Sequence, residues 1–492
     1  MLETDEIKRL MDADATNAVK SQAKLGRRYY EGEHDILNYR IFYIDSHGDI
    51  QEDTNRSNQR IAHPYFTELC DQQVQYMLSD SDGYIMAEDD KFLQEELDSY
   101  FDEDFMGSMH DFLTDVVSLG FGYLYAYKGE DDRMVFEAAD AMGVIEVSAK
   151  DASDGQSHII YHYFDRYDKE GRPIVKVQVW DTESTYYFVK TPDGEILPDD
   201  EAEVNPRPHV MWKGDDGRIF GEGLGFIPFF RLENNRKSQS NLKVIKPIID
   251  DYDLVNCGLS NNIQDYDNPI YAVTGFQGDN LEELMTKLKA KRMIGLDADG
   301  GIDIKTVDIP YEARKVKLDL DEKNIYHFGM GLNSNMVGDG NVTNVVIKSR
   351  YALLDMKCNK LEVRLKKFLR TILNVVLDDI NGRNGTAYTQ SQIKLKFNRE
   401  IMTNALDNAQ IEKYEAETEE IEVNTYLNLR SLIGDEEALR LVCDQLDLDY
   451  EELKDKIPEN PLDSLMAAQT ALNDGGGVNE PAGTGSAQPQ PE

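Results

Sequence analysis

The residues of this 492-residue chain best suited to chemistry are acidic. Asp297, Asp299 and Asp303 alternate through DADGGIDIKTVD, a spacing that lets hard oxygen ligands converge on one cation. Ile302 stands where a calcium loop needs its glycine and Asp308 replaces the closing Glu, so a hairpin turn is expected there instead. The carboxylate-rich stretches 88–104 and 412–422 could supply a two-metal site for a nuclease. No histidine is regularly spaced among them, which makes them solvated helix faces, and a metal-dependent DNA-processing enzyme is kept as the alternative function. GEGLG at 221–225 lacks the G-x-G-x-x-G spacing and runs into FIPFF rather than a helix, so it is a glycine turn. GDGNVTN at 338–344 could offer backbone N–H groups to phosphate. With no Lys-Ser/Thr pair after it, it is no P-loop, and a flexible connector N-capped by Asn341, Thr343 or Asn344 is expected. Eight scattered histidines offer no triad. No catalytic residue, cofactor or metal site is expected.

Composition sets the frame for these residues. Lys and Arg number 52 against 93 Asp and Glu, a formal charge of −41. Such a surface repels phosphate, so nucleic acid is expected to meet the chain only locally, through a basic element. The length predicts several domains, since single cores rarely exceed ~250–300 residues. No apolar run approaches the ~20 residues that span a bilayer, and the opening MLETDEIKRLMDADA is acidic and amphipathic rather than signal-like. A start in the cytoplasm, with no membrane partner, is the expectation. Cys70, Cys257, Cys358 and Cys443 form no CxxC pair and are expected to be buried free thiols.

The apolar period identifies the elements that must position the rest, and the fold class expected is α+β, mainly helical. Ile7, Leu10, Met11, Ala18, Val19, Leu25 and Tyr29 recur at helical spacing, with Gly32 as a left-handed cap. A second helix follows Pro64 and a third ends at Gly120. From Tyr123 the runs YLYAY, HIIYHYF, IVKVQVW and TYYFV, separated by DKEG and PDG, predict an antiparallel meander. Leu242 to Ile263 form a long helix stripe that Pro247 should kink or delay. Residues 270–310 read as a strand, a short helix (281–292) and two short strands around DADGG, before a helix from Tyr311 to Phe328. Residues 400–463, with 19 acids against 5 bases, are helical, and the Gly/Pro-rich end is expected to be disordered.

One helix departs from the acidic balance. Ile347, Tyr351, Leu354, Cys358, Leu361, Leu365, Phe368, Leu369, Ile372 and Val376 make one apolar stripe. Around it stand Lys348, Arg350, Lys357, Lys360, Arg364, Lys366, Lys367 and Arg370 against only Asp355 and Glu362, a local charge of +6. In a monomer these cations would pair with acidic neighbours.

From residue 230 onward the order of elements is long helix, strand–helix–strand–strand insert, returning helix, Gly/Asn loop and long basic helix. That order resembles the bacteriophage portal proteins, those of phages with long non-contractile tails above all. YYEGEHDIL resembles the family's early Tyr-x-Gly-x-His segment, and NRSNQRIAHPYFTELCDQQVQYMLSD its Asn-rich turn before a helix. NVTNVVIKSRYALL resembles its Ser-Gly-x-Ala-Leu-Lys segment, with Asn344 where glycine is common.

The resemblance implies a non-enzymatic homo-oligomeric ring, usually of about twelve copies, at one capsid vertex, around a tunnel for double-stranded DNA. It implies terminase large subunit, a head-completion adaptor, and major capsid and scaffolding proteins as partners, in the virion and, during assembly, in the host cytoplasm. Mapped here, residues 1–235 and 345–400 would be wing, 236–267 and 311–332 stem helices, and 268–310 clip. Residues 333–344 would be the tunnel loop, 401–470 crown and 471–492 a disordered tail. The resemblance places Asn333, Ser334, Asn335, Met336, Val337, Asp339, Asn341, Val342, Thr343 and Asn344 at the DNA. It makes Lys237, Lys243, Lys246, Arg314, Lys315 and Lys317 stem cations. It places Lys348, Arg350, Lys357 and Arg364 on a helix between subunits.

Overall fold

The computed structural model describes residues 1–54, 56–79, 84–87, 90–129, 131–213, 218–266, 270–276, 296–305, 310–333 and 344–399, with parts of 413–450. The chain divides into two compact units, 1–339 with 348–401 and 340–347 with 402–492.

The first unit opens on α1 (Thr4–Ala15) and α2 (Ala18–Tyr30), where one continuous helix was the expectation. The break is at Asn17, whose backbone is extended and whose side chain accepts from Val19 N at 2.8 Å. An Asn cap thus starts a new helix without disturbing the apolar period. Gly32, at φ +80°, closes α2 as predicted. A hairpin of β1 (Phe42–Ile44) and β2 (Ile50–Glu52) precedes α3 (Tyr65–Met77) and β3 (Ile85–Met86). Next come α4 (Lys91–Tyr100) and α5 (Glu103–Leu119). Their N-caps, Asp90 and Asp102, accept from Leu93 N and Phe105 N at 3.0 Å, so two carboxylates of the 88–104 stretch are structural caps.

Gly120 ends α5 at φ +105°, and a Cβ there would lie 2.5 Å from the Ser238 carbonyl oxygen. The left-handed strain and the clash add, so Gly120→Ala should cost at least about 1–3 kcal/mol. Thermal denaturation should show a lowered midpoint; an unchanged midpoint would contradict this close approach.

The predicted meander is present. It comprises β4 (Phe121–Lys128), β5 (Met134–Ala139), β6 (Val144–Val147), β7 (His158–Tyr167), β8 (Pro173–Trp180), β9 (Ser184–Lys190) and β10 (Ile196–Pro198). Short strands β11 (Arg207–Pro208), β12 (Val210–Lys213), β13 (Ile219–Glu222) and β14 (Phe229–Glu233) complete the region. Strands β6 to β10 pair antiparallel in sequence order, with β11 on β9, while a second sheet has the order β14-β4-β5. Gly171 and Gly194, at φ +78° and +82°, make the turns that DKEG and PDG announced. Alternation decides the faces: Ile160, Val177, Val179 and Phe188 point inward and are covered by Leu2, Ile7 and Met11 of the N-terminal segment.

After the sheets, α6 (Leu242–Tyr266) begins six residues later than the expected start at 236. Ser238 adopts φ +50° and Asn235 Oδ1 accepts from Lys237 N and Gln239 N, at 3.0 and 3.2 Å, which holds 235–239 in a turn. The helix continues through Pro247. Pro247 and Lys243 are both exposed, so water can satisfy the carbonyl that the proline leaves without a donor.

Strand β15 (Ile270–Phe276) pairs with β16 (Leu296–Lys305), which is one strand where two short strands and a DADGG turn were expected. Asp297, Asp299 and Asp303 therefore lie along a strand. The glycines are absorbed by a register shift between Thr274 and Phe276, with Gly275 at φ +66°. The expected helix 281–292 lies outside the described residues. Helices α7 (Tyr311–Gly329) and α8 (Asn344–Asn384) follow, and β17 (Lys394–Leu395) returns to pair with β3. The main core gathers α3, α5, α6 and α8, with every stripe residue of α8 from Leu354 to Val376 buried. In the second unit, α9 (Asp435–Gln445) buries Ala438, Leu439, Val442 and Cys443. All four cysteines are free and buried, as predicted.

Candidate functional site

Helices α6 and α7 pack on one another and carry five of the six stem cations, Lys237 standing in the turn before α6. Two of these are consumed inside the subunit. Lys246 Nζ donates to Asp35 and Asp250, at 2.7 and 2.6 Å, and lies 4.9 Å from the centre of the Tyr29 ring. Burial alone would lower its pKa, but hydrogen bonds to Asp250, Asp35 and Tyr29 outweigh it and the ammonium is held above its ordinary value. Lys317 donates to Asp251 and Asp321, and those bonds raise its pKa. Arg314 lies against the Asn262 amide. Lys237, Lys243 and Lys315 are exposed, and among the described residues they form no ion pair.

Beneath this surface α6 holds a buried polar group that sequence reasoning missed. The Asp253 side chain is fully buried. Its two oxygens accept from His34 Nδ1 and His63 Nδ1, each at 2.7 Å, and from His63 N at 3.0 Å. His34 stacks on Tyr29 with ring centroids 4.4 Å apart. Burial would raise the carboxylate's pKa, but the two imidazole hydrogen bonds lower it below its ordinary value. The only signal in the sequence was local: His34 closes the Tyr-x-Gly-x-His segment and His63 precedes Pro64. Nothing near either names an aspartate about two hundred residues away.

From α7 the chain enters the expected tunnel loop. The Asn333 amide donates to Glu322 Oε1 at 3.1 Å. Gln72 clamps Leu332, donating to its carbonyl at 2.8 Å and accepting from its N–H at 3.0 Å. Ser334, Asn335, Met336, Val337, Asp339, Asn341, Val342 and Thr343 lie outside the described residues, and Asn344 begins α8.

The basic helix uses the two acids that stand among its cations, Asp355 and Glu362, internally. Arg399 donates to Asp355 at 2.6 Å, to Asn359 at 2.7 Å and to Glu362, and lies 5.8 Å from the Tyr76 ring centre. Lys366 also pairs with Glu362, at 2.7 Å. Arg364 stands 3.9 Å from Glu233. Lys357 lies beside the buried Cys70 and Cys358 thiols, and desolvation pushes its pKa down. Arg350 is half-buried. Lys348, Lys360, Lys367 and Arg370 are exposed and, among the described residues, have no ion pair, alongside exposed Met356 and Val363. The pairing expected for a monomer is thus met for only part of the helix, and a basic outer face is left over.

Among the described residues no group of three or more His, Cys, Asp or Glu side chains is placed to hold a metal ion. No helix among them is long and apolar enough to cross a membrane. The profile of the family described as phage portal protein, SPP1 Gp6-like, matches residues 12–454. The chain is 27% identical over 350 residues to a portal protein of Bacillus phage SPP1, covering 70% of this chain and 67% of that one. It is 32% identical over 190 residues to a portal protein of Clostridium phage phiCD119, covering 38% of this chain and 41% of that one. Two solved structures are more distant. The neck of an empty GTA particle computed with C6 symmetry matches at TM-score 0.37 and 13% identity, over 68% of this chain and 81% of that one. The neck of a native GTA particle computed with C12 symmetry matches at 0.34 and 12%, over 72% and 85%.

Proposed function

The chain belongs to the SPP1 Gp6-like phage portal protein family, and from that membership we propose that it forms a ring of about twelve copies at one capsid vertex. In this reading the ring is non-enzymatic and conducts double-stranded DNA during packaging and ejection. It nucleates procapsid assembly with the major capsid and scaffolding proteins, docks the terminase large subunit while the head fills, and later binds a head-completion adaptor. The observation that carries the proposal is the family match along residues 12–454. In the wing–stem–clip–crown scheme, α6 and α7 are stem, β15 and β16 belong to the clip, and α8 lies in the wing.

The charge distribution is consistent with this work. A translocating duplex needs little friction, and a strongly acidic ring does not hold phosphate. The uncharged loop residues between Asn333 and Asn344 can touch a moving helix without reading its sequence. Lys237, Lys243 and Lys315 are the stem cations free to meet DNA or capsid, whereas Lys246 and Lys317 are assigned to holding the subunit together. The outer face of α8, with Lys348 at one end, is assigned to the contact with an acidic neighbouring subunit.

Negative-stain microscopy and mass measurement of the purified full chain test the proposal. Rings of about a dozen subunits with a central hole are expected. A chain that stays monomeric at high concentration would overturn it.

A further inference from the structure

Packed interiors leave few voids larger than a water molecule, yet one remains where α4, α5 and α8 meet the β3–β17 pair. The cavity measures about 200 Å³. Leu97, Met109, Leu365 and Leu369 line it and are buried, so core side chains face a space that no described residue fills. Such a void forfeits the dispersion contacts that a filling group would make. Phe101 and Phe105 meet edge to face with ring centroids 4.8 Å apart, and Tyr84 lies 5.0 Å from Phe397. All four rings line the cavity, together with Met106. Aromatic edges and methionine thioethers both favour a further aromatic ring over an aliphatic chain. An apolar cavity of ~150 Å³ is enough to hold benzene, so one ring, single or fused, fits here.

Charge narrows the ligand further. Asp98 is the one charged residue that lines the cavity, and it is exposed, so it marks the mouth. Its Oδ1 accepts from Gln94 Nε2 at 2.7 Å, and it forms no ion pair among the described residues. An anionic ring entering past it would lose hydration and meet a like charge, whereas a neutral ring with an N–H or O–H can donate to the carboxylate. One wall is the β3–β17 pair: Leu395 is paired with Ile85, Lys396 N donates to the Tyr84 carbonyl at 3.0 Å, and Tyr84, Ile85 and Phe397 all line the cavity. That pairing is two residues long, and just beyond it Arg399 ties the chain to Asp355 and Glu362 of α8. A ring seated against Tyr84 and Phe397 braces this short pairing, because opening it would expose the ligand to water.

We propose that this cavity is a binding site for a small uncharged aromatic molecule of the size of benzene or indole. The site lies within one subunit and does not depend on the ring proposed above. Indole and benzoate, each added to the full chain at millimolar concentration, are the probes. Indole should raise the thermal midpoint by about 2–4 °C and slow hydrogen exchange at the Lys396 amide, and benzoate should do neither. Met106→Trp, which fills the cavity from a half-buried position, should abolish the indole shift in a chain that still folds. Asp98→Asn, at the exposed mouth, should let benzoate raise the midpoint. No indole shift in the parent, an indole shift that survives Met106→Trp, or a benzoate shift in the parent as large as that of indole would overturn the site. A shift seen in the unassembled subunit and lost in assembled rings would show that a side chain of a neighbouring chain occupies the cavity, and would overturn it as a small-molecule site.

Discussion

Asp253→Ala should lower stability by about 3–5 kcal/mol, the cost of removing one partner from a buried, hydrogen-bonded charged group. The replacement strands the imidazoles of His34 and His63, each of which points its Nδ1 at a carboxylate oxygen 2.7 Å away, and the backbone N–H of His63. The measurement is a denaturant midpoint, expected to fall with little change in slope. A midpoint within experimental scatter of the parent's would show that water replaces the carboxylate easily. The effect also has a sign in pH. The folded pKa of Asp253 lies below its ordinary value, so its contribution is present above the ordinary carboxylate range and is lost as pH falls through the depressed value. The parent should therefore lose stability in acid more steeply than the variant does.

The second large effect belongs to the long basic helix. Phe368→Ala should cost about 3–5 kcal/mol, as truncation of a buried aromatic does when its surroundings cannot collapse. Phe368 stacks on Phe112 of α5 with ring centroids 4.9 Å apart and is flanked by buried Leu365, Leu369 and Ile372. Thermal unfolding should show the loss, and Val363→Ala, on the exposed side of the same helix, should change the stability of the unassembled subunit by no more than about 0.5 kcal/mol. Equal effects at the two positions would mean that the apolar stripe does not anchor the helix.

Much of the architecture was legible because it is written locally. The step of three and four from Leu354 to Val376 told which side of α8 would be buried, and Gly120, Gly171 and Gly194 marked a helix end and two turns by their tolerance of positive φ. Where two local signals competed, one went unread. The apolar period carried across the Asn17 cap, and Gly300–Gly301 suggested a turn in what is a bulged strand.

The sequence by itself determined the class of fold, the faces of its helices and strands, the burial of the cysteines, and an order of elements matched by the portal family across most of the chain. Only the tertiary structure decided which charges are spent inside the subunit. Lys246 and Lys243 are indistinguishable in composition and spacing, yet one is bonded to Asp35 and Asp250 and the other faces solvent. Asp253 meets histidines 219 and 190 residues away. The physical reason is that helix and strand periodicities depend on near neighbours. The partner of a charge depends on which distant segments the packed core brings within hydrogen-bonding distance.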